Sequence, residues 1–208
     1  MEKSKNIDGI EEKFLKIFWS KIFSGAELSY ALTENAIIKA MKIFVFSDLH
    51  GSISSLRKVL SIWAQDPPDR IILLGDILNG GYEGGGFACA RELKKYSDKI
   101  IAVRGNCDRE EDERLLGVSL PDRRDISIFG RSAHLGHRPI WSAFPEGDLV
   151  FTGHTHVKTL YEEMGVIYLN PGSIAYPRDS SASYAWITER GIGLYRLDDQ
   201  TLLQEIKF

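Results

Sequence analysis

The sequence predicts an α/β fold, a sandwich of two β-sheets with helices, and three observations predict it. Apolar runs of four or five residues recur, each ending in a polar loop; stretches of helical period separate the first three runs; and beyond residue 125 the pattern is almost wholly strand-like. Met41 opens the series, and Lys42-Ile43-Phe44-Val45-Phe46 reads as a strand buried on both faces that stops at Ser47-Asp48-Leu49-His50-Gly51. A helical period follows over 54–64, then the strand Arg70-Ile71-Ile72-Leu73-Leu74, ending at Gly75-Asp76. A glycine-rich stretch over 80–86 leads into a helix over 87–96, and a third strand over 99–103 ends at Arg104-Gly105-Asn106-Cys107-Asp108. Such β-loop-α units imply a largely parallel sheet with right-handed crossovers, whose sites form beyond the carboxyl ends of its strands. Further strands are expected over 125–129, 131–135, 148–152, 166–169, 183–188, 193–197 and 202–206.

With 208 residues, 43% of them hydrophobic, the chain has enough apolar material for one ordinary domain. A formal charge of -3 leaves no basic footprint for holding nucleic acid. Two cysteines, Cys89 and Cys107, are too few for a disulfide scaffold and fit a reducing, cytoplasmic compartment. No window approaches the roughly 20 apolar residues of a membrane span. Residues 1–40 read as a helical extension, with Ile10, Phe14, Ile17, Phe18 and Ile22 at near-helical spacing. Glu11, Glu12, Lys13 and Lys16 interrupt its apolar residues, which argues against a secretory signal. Two readings of it compete: the native protein starts at Met41, or the helix packs on the 41–208 domain, a partner or a membrane surface.

The chemistry lies in where the polar residues fall. Successive strand ends deliver Asp48 and His50, then Asp76, then Asn106, then His134 or His137, and finally His154 and His156. Carboxylate and amide oxygens with imidazole nitrogens are the donors a divalent first-row ion takes, and the set is large enough for two ions. Taken singly, each motif has a plainer explanation. Asp48 could cap the next helix, Gly105-Asn106 could be a turn, and Arg104 could serve a salt bridge rather than a phosphate. Their joint occurrence in this order, each at a strand end, excludes coincidence.

The series Asp48-x-His50, Gly75-Asp76, Gly105-Asn106-Cys107-Asp108 and Gly153-His154-Thr155-His156, with Asn170-Pro171-Gly172-Ser173, resembles the calcineurin-like metallophosphoesterases, in particular the small YfcE-type phosphodiesterases of bacteria and archaea. The resemblance runs from Met41 to the C-terminus. It implies a metallophosphoesterase-type sandwich of two mixed β-sheets flanked by helices, and a hydrolase of small phosphodiesters acting through a metal-bridging hydroxide. Asp48, His50 and His156 would hold one ion, Asn106 and His154 the other, and Asp76 would bridge them; Mn²⁺ suits the donor set best, with Ni²⁺, Fe²⁺, Zn²⁺ or Mg²⁺ as alternatives.

Three departures from that pattern stand out. The resemblance implies another metal-ligating His directly before a Gly, where this chain has Leu135; His134 or His137 would take the role, His137 being favoured because it shares the side of 135 in an extended chain. Cys107 replaces the His with which larger relatives protonate the leaving group, which predicts a preference for good leaving groups and aryl diesters, with Asp108 acting beside it. The stretch Asn79-Gly80-Gly81-Tyr82-Glu83-Gly84-Gly85-Gly86 lacks the spacing of a nucleotide-binding loop and is read as flexible, bordering the site. The partner expected is a small phosphate ester. Trp141, Phe144 and Tyr176 would suit the pocket, the core or an interface in a homo-oligomer. Two other readings remain: a nucleotide or phosphomonoester phosphatase on the same scaffold, and a non-catalytic metal-binding scaffold protein.

Overall fold

The apolar run Ile43–Phe46 forms the central strand β1 of a computed structural model that describes residues 41–208. The helical extension expected over 1–40 lies outside the described residues. After β1 come α1 (Ile53–Gln65), β2 (Arg70–Leu73), α2 (Gly86–Leu93) running on into a 3-10 turn at Lys94–Tyr96, β3 (Ile100–Ala102) and α3 (Glu110–Leu116). Eight strands follow: β4 (Arg123–Ile128), β5 (Arg131–Gly136), β6 (Leu149–Phe151), β7 (Thr159–Glu163), β8 (Val166–Asn170), β9 (Ser183–Thr188), β10 (Gly191–Arg196) and β11 (Leu202–Lys207).

Two mixed sheets result. The first has the order β11-β10-β9-β1-β2-β3, the second β4-β5-β6-β8-β7. The expectation of a largely parallel sheet is corrected here: β1, β2 and β3 are parallel, but β9 joins β1 antiparallel and β10 and β11 continue antiparallel. β9 enters from the second sheet against β1, and β10 and β11 then follow it through hairpins, which can add a strand only antiparallel.

Alternation along β1 shows how the layers form. Phe44 and Phe46 face the helices, joining Leu56, Trp63, Ala90 and Leu116, while Ile43 and Val45 face the second sheet, joining Leu149, Phe151 and Leu169. One strand thus serves two cores, which is why its sequence is apolar without interruption. The helices cover only the outer face of the first sheet; among the described residues the second sheet contributes no helix.

The two elements the sequence pattern did not reveal are β7 and α3. In β7 only Leu160 is buried, so the period-2 signal is absent. Its pairing with β8 is imposed by a two-residue turn, Met164 and Gly165, both at positive φ (51° and 74°), the hairpin geometry that matches strand twist. α3 is seven residues long with four acidic residues in its first turn, and it ends at Gly117 in the left-handed conformation.

Phe44 is fully buried, stacked on Tyr184 at 4.6 Å and met edge-on by Trp186 at 4.9 Å and Trp63 at 5.5 Å. Phe44→Ala would empty this aromatic cage, and we expect a loss of about 3–5 kcal/mol in denaturant unfolding, measured as a lower midpoint at unchanged slope.

Candidate metal centre

Five strand ends meet at one rim of the sandwich, β1, β2 and β3 from the first sheet and β5 and β6 from the second. The turns there are sharp enough to hold Asp48, His50, Asp76, His154 and His156 at positive φ, between 49° and 67°. Only eight non-glycine residues among those described have positive φ, and five of them lie on this rim, so the concentration marks backbone held in a sparsely populated conformation by the surrounding loops. Backbone bonds across the rim hold it: the Asp48 amide donates to Gly75 O at 3.1 Å, His50 to Asp76 O at 2.8 Å, and Gly51 to Ile77 O at 2.9 Å.

Three imidazoles are oriented in one way. Nδ1 of His50, His137 and His156 each lies 2.7 Å from a backbone carbonyl, of Asn79, Leu74 and Tyr176 respectively. A carbonyl only accepts, so each Nδ1 carries the proton and each Nε2 turns its lone pair inward. These lone pairs converge with carboxylates. Nε2 of His50 lies 3.2 Å from Nε2 of His156, which is 3.3 Å from Asp48 Oδ1. Nε2 of His137 lies 3.2 Å from Asn106 Oδ1, 3.3 Å from His154 Nδ1 and 3.4 Å from Asp76 Oδ2. Asp76 Oδ2 therefore stands between two clusters, 3.7 Å from His50 Nε2 on the other side, while Asp76 Oδ1 accepts the Cys107 amide at 2.8 Å.

This is a collection of acceptors facing acceptors. Asp48 Oδ1 is buried without any hydrogen-bond partner. Asp48, His50 and His156 can bring ligand atoms within 4.8 Å of one another, as can Asp48, Asp76 and His137, and also His50, Asp76 and Cys107. Divalent cations satisfy such a convergence of carboxylate oxygens and imidazole nitrogens, so the residues present fit the metals that the sequence implies.

The electrostatics follow from the same geometry. Burial alone would raise the Asp76 carboxyl, but His137, the Cys107 amide and His50 outweigh it and hold its pKa down at about 2. The Asp48 carboxylate, 3.3 Å from its Nε2, raises His156, whereas burial and the neighbouring His137 and Arg138 lower His154. Burial, then the Asp76 and Asp108 carboxylates, push the Cys107 thiol up to about 11.

Several sequence expectations change at this point. His134 does not reach the cluster: its Nδ1 meets Asp125 and its Nε2 Asp148, each at 2.9 Å, so both nitrogens are engaged elsewhere. Leu135 is sealed in the core, and the chain beyond the end of β5 brings His137 inward instead. Asp108 is not aimed at the cluster either. Its Oδ1 accepts the Ile77 amide at 2.7 Å and its Oδ2 the Gly105 amide at 2.9 Å, tying the Asp76 loop to the Asn106 loop. Arg104 takes the structural alternative, bonding Glu113 Oε1 and Leu120 O at 3.1 Å. Ser52, not Asp48, caps α1.

The glycine-rich loop is packed against the site rather than free. A Cβ on Gly80 would stand 2.8 Å from both Cys107 Sγ and His50 Nδ1, and one on Gly81 would collide with His50 O. Asn79, whose carbonyl orients His50, is itself held by Asp112 Oδ2 at 2.7 Å. No sequence motif pointed to Asn79 or Asp112; a polar residue in a loop and an acid in a helix's first turn have commoner uses. Asn170-Pro171-Gly172-Ser173 acts as a buckle. The Asn170 amide donates to Gly153 O at 2.7 Å and Ser173 Oγ donates to Asp48 O at 2.8 Å, joining the two loops that carry Asp48 and His154. A cavity of about 400 Å³ over the cluster is lined by Asn106, Cys107, Tyr82, Tyr176 and Arg178 among others. Of the aromatics left open, Tyr176 thus lines the pocket, Phe144 packs on His134 at 4.6 Å, and Trp141 is exposed.

The fold and this rim define a class, and the chain belongs to the calcineurin-like phosphoesterase superfamily, whose domain model matches residues 41–191. Within it the chain is of the YfcE type. It is 31% identical over 179 residues to phosphodiesterase YfcE of Escherichia coli strain K12, spanning 80% of this chain and 97% of that one. The structure of the E. coli phosphoesterase superposes with a TM-score of 0.75 at 28% identity, covering 80% of this chain and 99% of that chain. Vacuolar protein sorting 29 from Cryptosporidium parvum, at 20% identity and a TM-score of 0.58 over 81% of this chain and 99% of its own, shares the fold. The chain is accordingly a hydrolase of the phosphoesterase class. Among the described residues no helix is long and apolar enough to cross a membrane.

Two predictions arise from this geometry. Saturating Mn²⁺ at about 100 times its Kd is expected to raise the melting temperature of metal-stripped protein by roughly 5–10 °C, from about 2.7 kcal/mol of linkage, and Asp48→Asn is expected to remove most of that rise in a thermal melt. At His134, burial lowers the pKa but the Asp148 and Asp125 carboxylates raise it further, so the net shift is upward. A raised His stabilises below its unfolded pKa and loses that contribution as pH rises through the folded value. His134→Gln should therefore cost about 1 kcal/mol near about pH 5.5 and clearly less near about pH 8.5, by urea unfolding.

Proposed function

We propose that the chain hydrolyses small phosphodiesters at a dinuclear metal centre. The observation that carries the reading is Asp76 Oδ2 placed between His137 Nε2 at 3.4 Å and His50 Nε2 at 3.7 Å, a carboxylate shared by two groups of ligands. Asp48, His50 and His156 would hold one ion and Asn106, His137 and His154 the other, with Asp76 common to both. Bound there, the ions supply a hydroxide nucleophile at neutral pH and a Lewis-acid pull on the phosphoryl oxygens, and Mn²⁺ is the ion favoured by the mixed oxygen and nitrogen donors.

The chain's own side chains do the remainder. The carbonyls of Asn79, Leu74 and Tyr176 keep three imidazoles in the tautomer that ligates. Arg178, on the cavity wall, offers a cation to a phosphate oxygen. Cys107 sits on the same wall, where the thiol is a weaker proton donor at neutral pH than an imidazolium, so esters whose leaving groups need no proton are favoured. The free state of Cys89 and Cys107 agrees with a cytoplasmic setting.

The test is hydrolysis of bis-p-nitrophenyl phosphate and p-nitrophenyl phosphate by metal-stripped protein refilled with Mn²⁺. We expect metal-dependent turnover with the diester preferred, and a fall of at least about a hundredfold in kcat for Asp76→Ala. Metal uptake without turnover would instead identify a binding protein, and a monoester preference would identify a phosphatase. Cys107→His is expected to speed alkyl relative to aryl esters; unchanged relative rates would remove the role given to Cys107.

A further inference from the structure

A second cavity, of about 550 Å³, lies between the loop after β2 and helix α3. It meets the first at the ligand cluster, because His50 and Gly80 line both. The chemistry above makes no use of it. One wall is backbone, since Gly80, Gly81, Gly84 and Gly86 present no side chains to it. Another carries Phe87, the second residue of α2, which is 79% exposed although the same helix buries Cys89, Ala90 and Leu93. Leu78 and Leu115 complete the apolar lining.

Four charged residues line this cavity, Arg109, Glu111, Asp112 and Arg114, and the first three have partners within it. Arg109 pairs with Glu111 at 3.5 Å, and Asp112 Oδ2 accepts both the Asn79 side-chain amide and the Arg109 backbone amide at 2.7 Å. The apolar surfaces on offer are a strip of glycine backbone and an exposed ring. That pair of surfaces fits a planar group better than a branched or charged one.

We propose that this cavity binds a planar aromatic substituent of the phosphate ester, laid against Phe87 and the glycine backbone while the phosphoryl group rests at the ligand cluster. The proposal builds on the metal-centre reading given above. It makes residues 80–86, with Phe87, the selector of the substrate's alcohol component.

The test is calorimetric binding of phenylphosphonate and methylphosphonate, which are not turned over, to the full-length Mn²⁺-loaded protein. We expect phenylphosphonate to bind about tenfold more tightly than methylphosphonate. Phe87→Ala should shrink that preference to within about twofold and Phe87→Trp should keep it, with methylphosphonate affinity the same in all three proteins. Equal affinities in the native protein, or a preference that survives Phe87→Ala, overturn the proposal. Either result leaves the metal-centre reading intact if Asp76→Ala still abolishes ester turnover. Conversely, a phenyl preference that depends on Phe87 in a protein without turnover upholds the pocket and sinks the catalytic reading.

Discussion

Everything at the rim depends on one constraint, that five site residues are held in left-handed backbone between 49° and 67° of φ. Non-glycine residues resist that conformation by roughly 1 kcal/mol or more each. The compensation comes from bonds between neighbouring loops: the Asp48 amide on Gly75 O, the His50 amide on Asp76 O, and the Asp108 carboxylate receiving the amides of both Ile77 and Gly105. Each loop is a sharp turn only because the next one lies against it. The sheet sets that spacing, since β1, β2 and β3 are adjacent parallel strands whose ends fall side by side.

The sandwich supplies the other half of the cluster. His137 and the His154–His156 loop come from strands of the second sheet, and only the packing of Ile43, Val45, Ile72 and Leu74 against Leu149, Phe151 and Leu169 brings that sheet's ends to the same rim. The apolar core and the polar site are therefore one construction. The Asn170-to-Ser173 buckle fastens it from the side, with Asn170 on the His154 loop and Ser173 on the Asp48 loop. Its value lies in bonds to backbone carbonyls, which hold position without competing for a metal.

The chemical character of the site follows from a uniform choice of proton position. His50, His137 and His156 all give Nδ1–H to a main-chain oxygen, so three lone pairs point to one place. A side chain as hydrogen-bond partner could move or titrate; a main-chain carbonyl does not titrate and moves only with its loop. The cost is a crowding of acceptors, with Asp48 Oδ1 buried and unpartnered, which makes the centre a place for cations.

Much of this was legible in the sequence, because strand signals and ligand motifs are both local. The strands through the parallel half announce themselves as apolar runs, and Asp48, His50, Asp76, Asn106, His154 and His156 announce themselves as polar residues placed where such runs end. What local pattern could not decide is which face a residue takes once a strand has ended. His134 and His137 differ by three positions, and only the fold shows the first spent on Asp125 and Asp148 and the second turned to Asp76. The same applies to Asp108 and Arg104, whose partners lie on other elements, and to Gly80 and Gly81, required by the nearness of His50 and Cys107 rather than by flexibility. Residue order along the chain settles which donor follows which strand and the chemistry those donors support; their orientation is settled only by packing, because it is set by carbonyls and carboxylates contributed from distant parts of the chain.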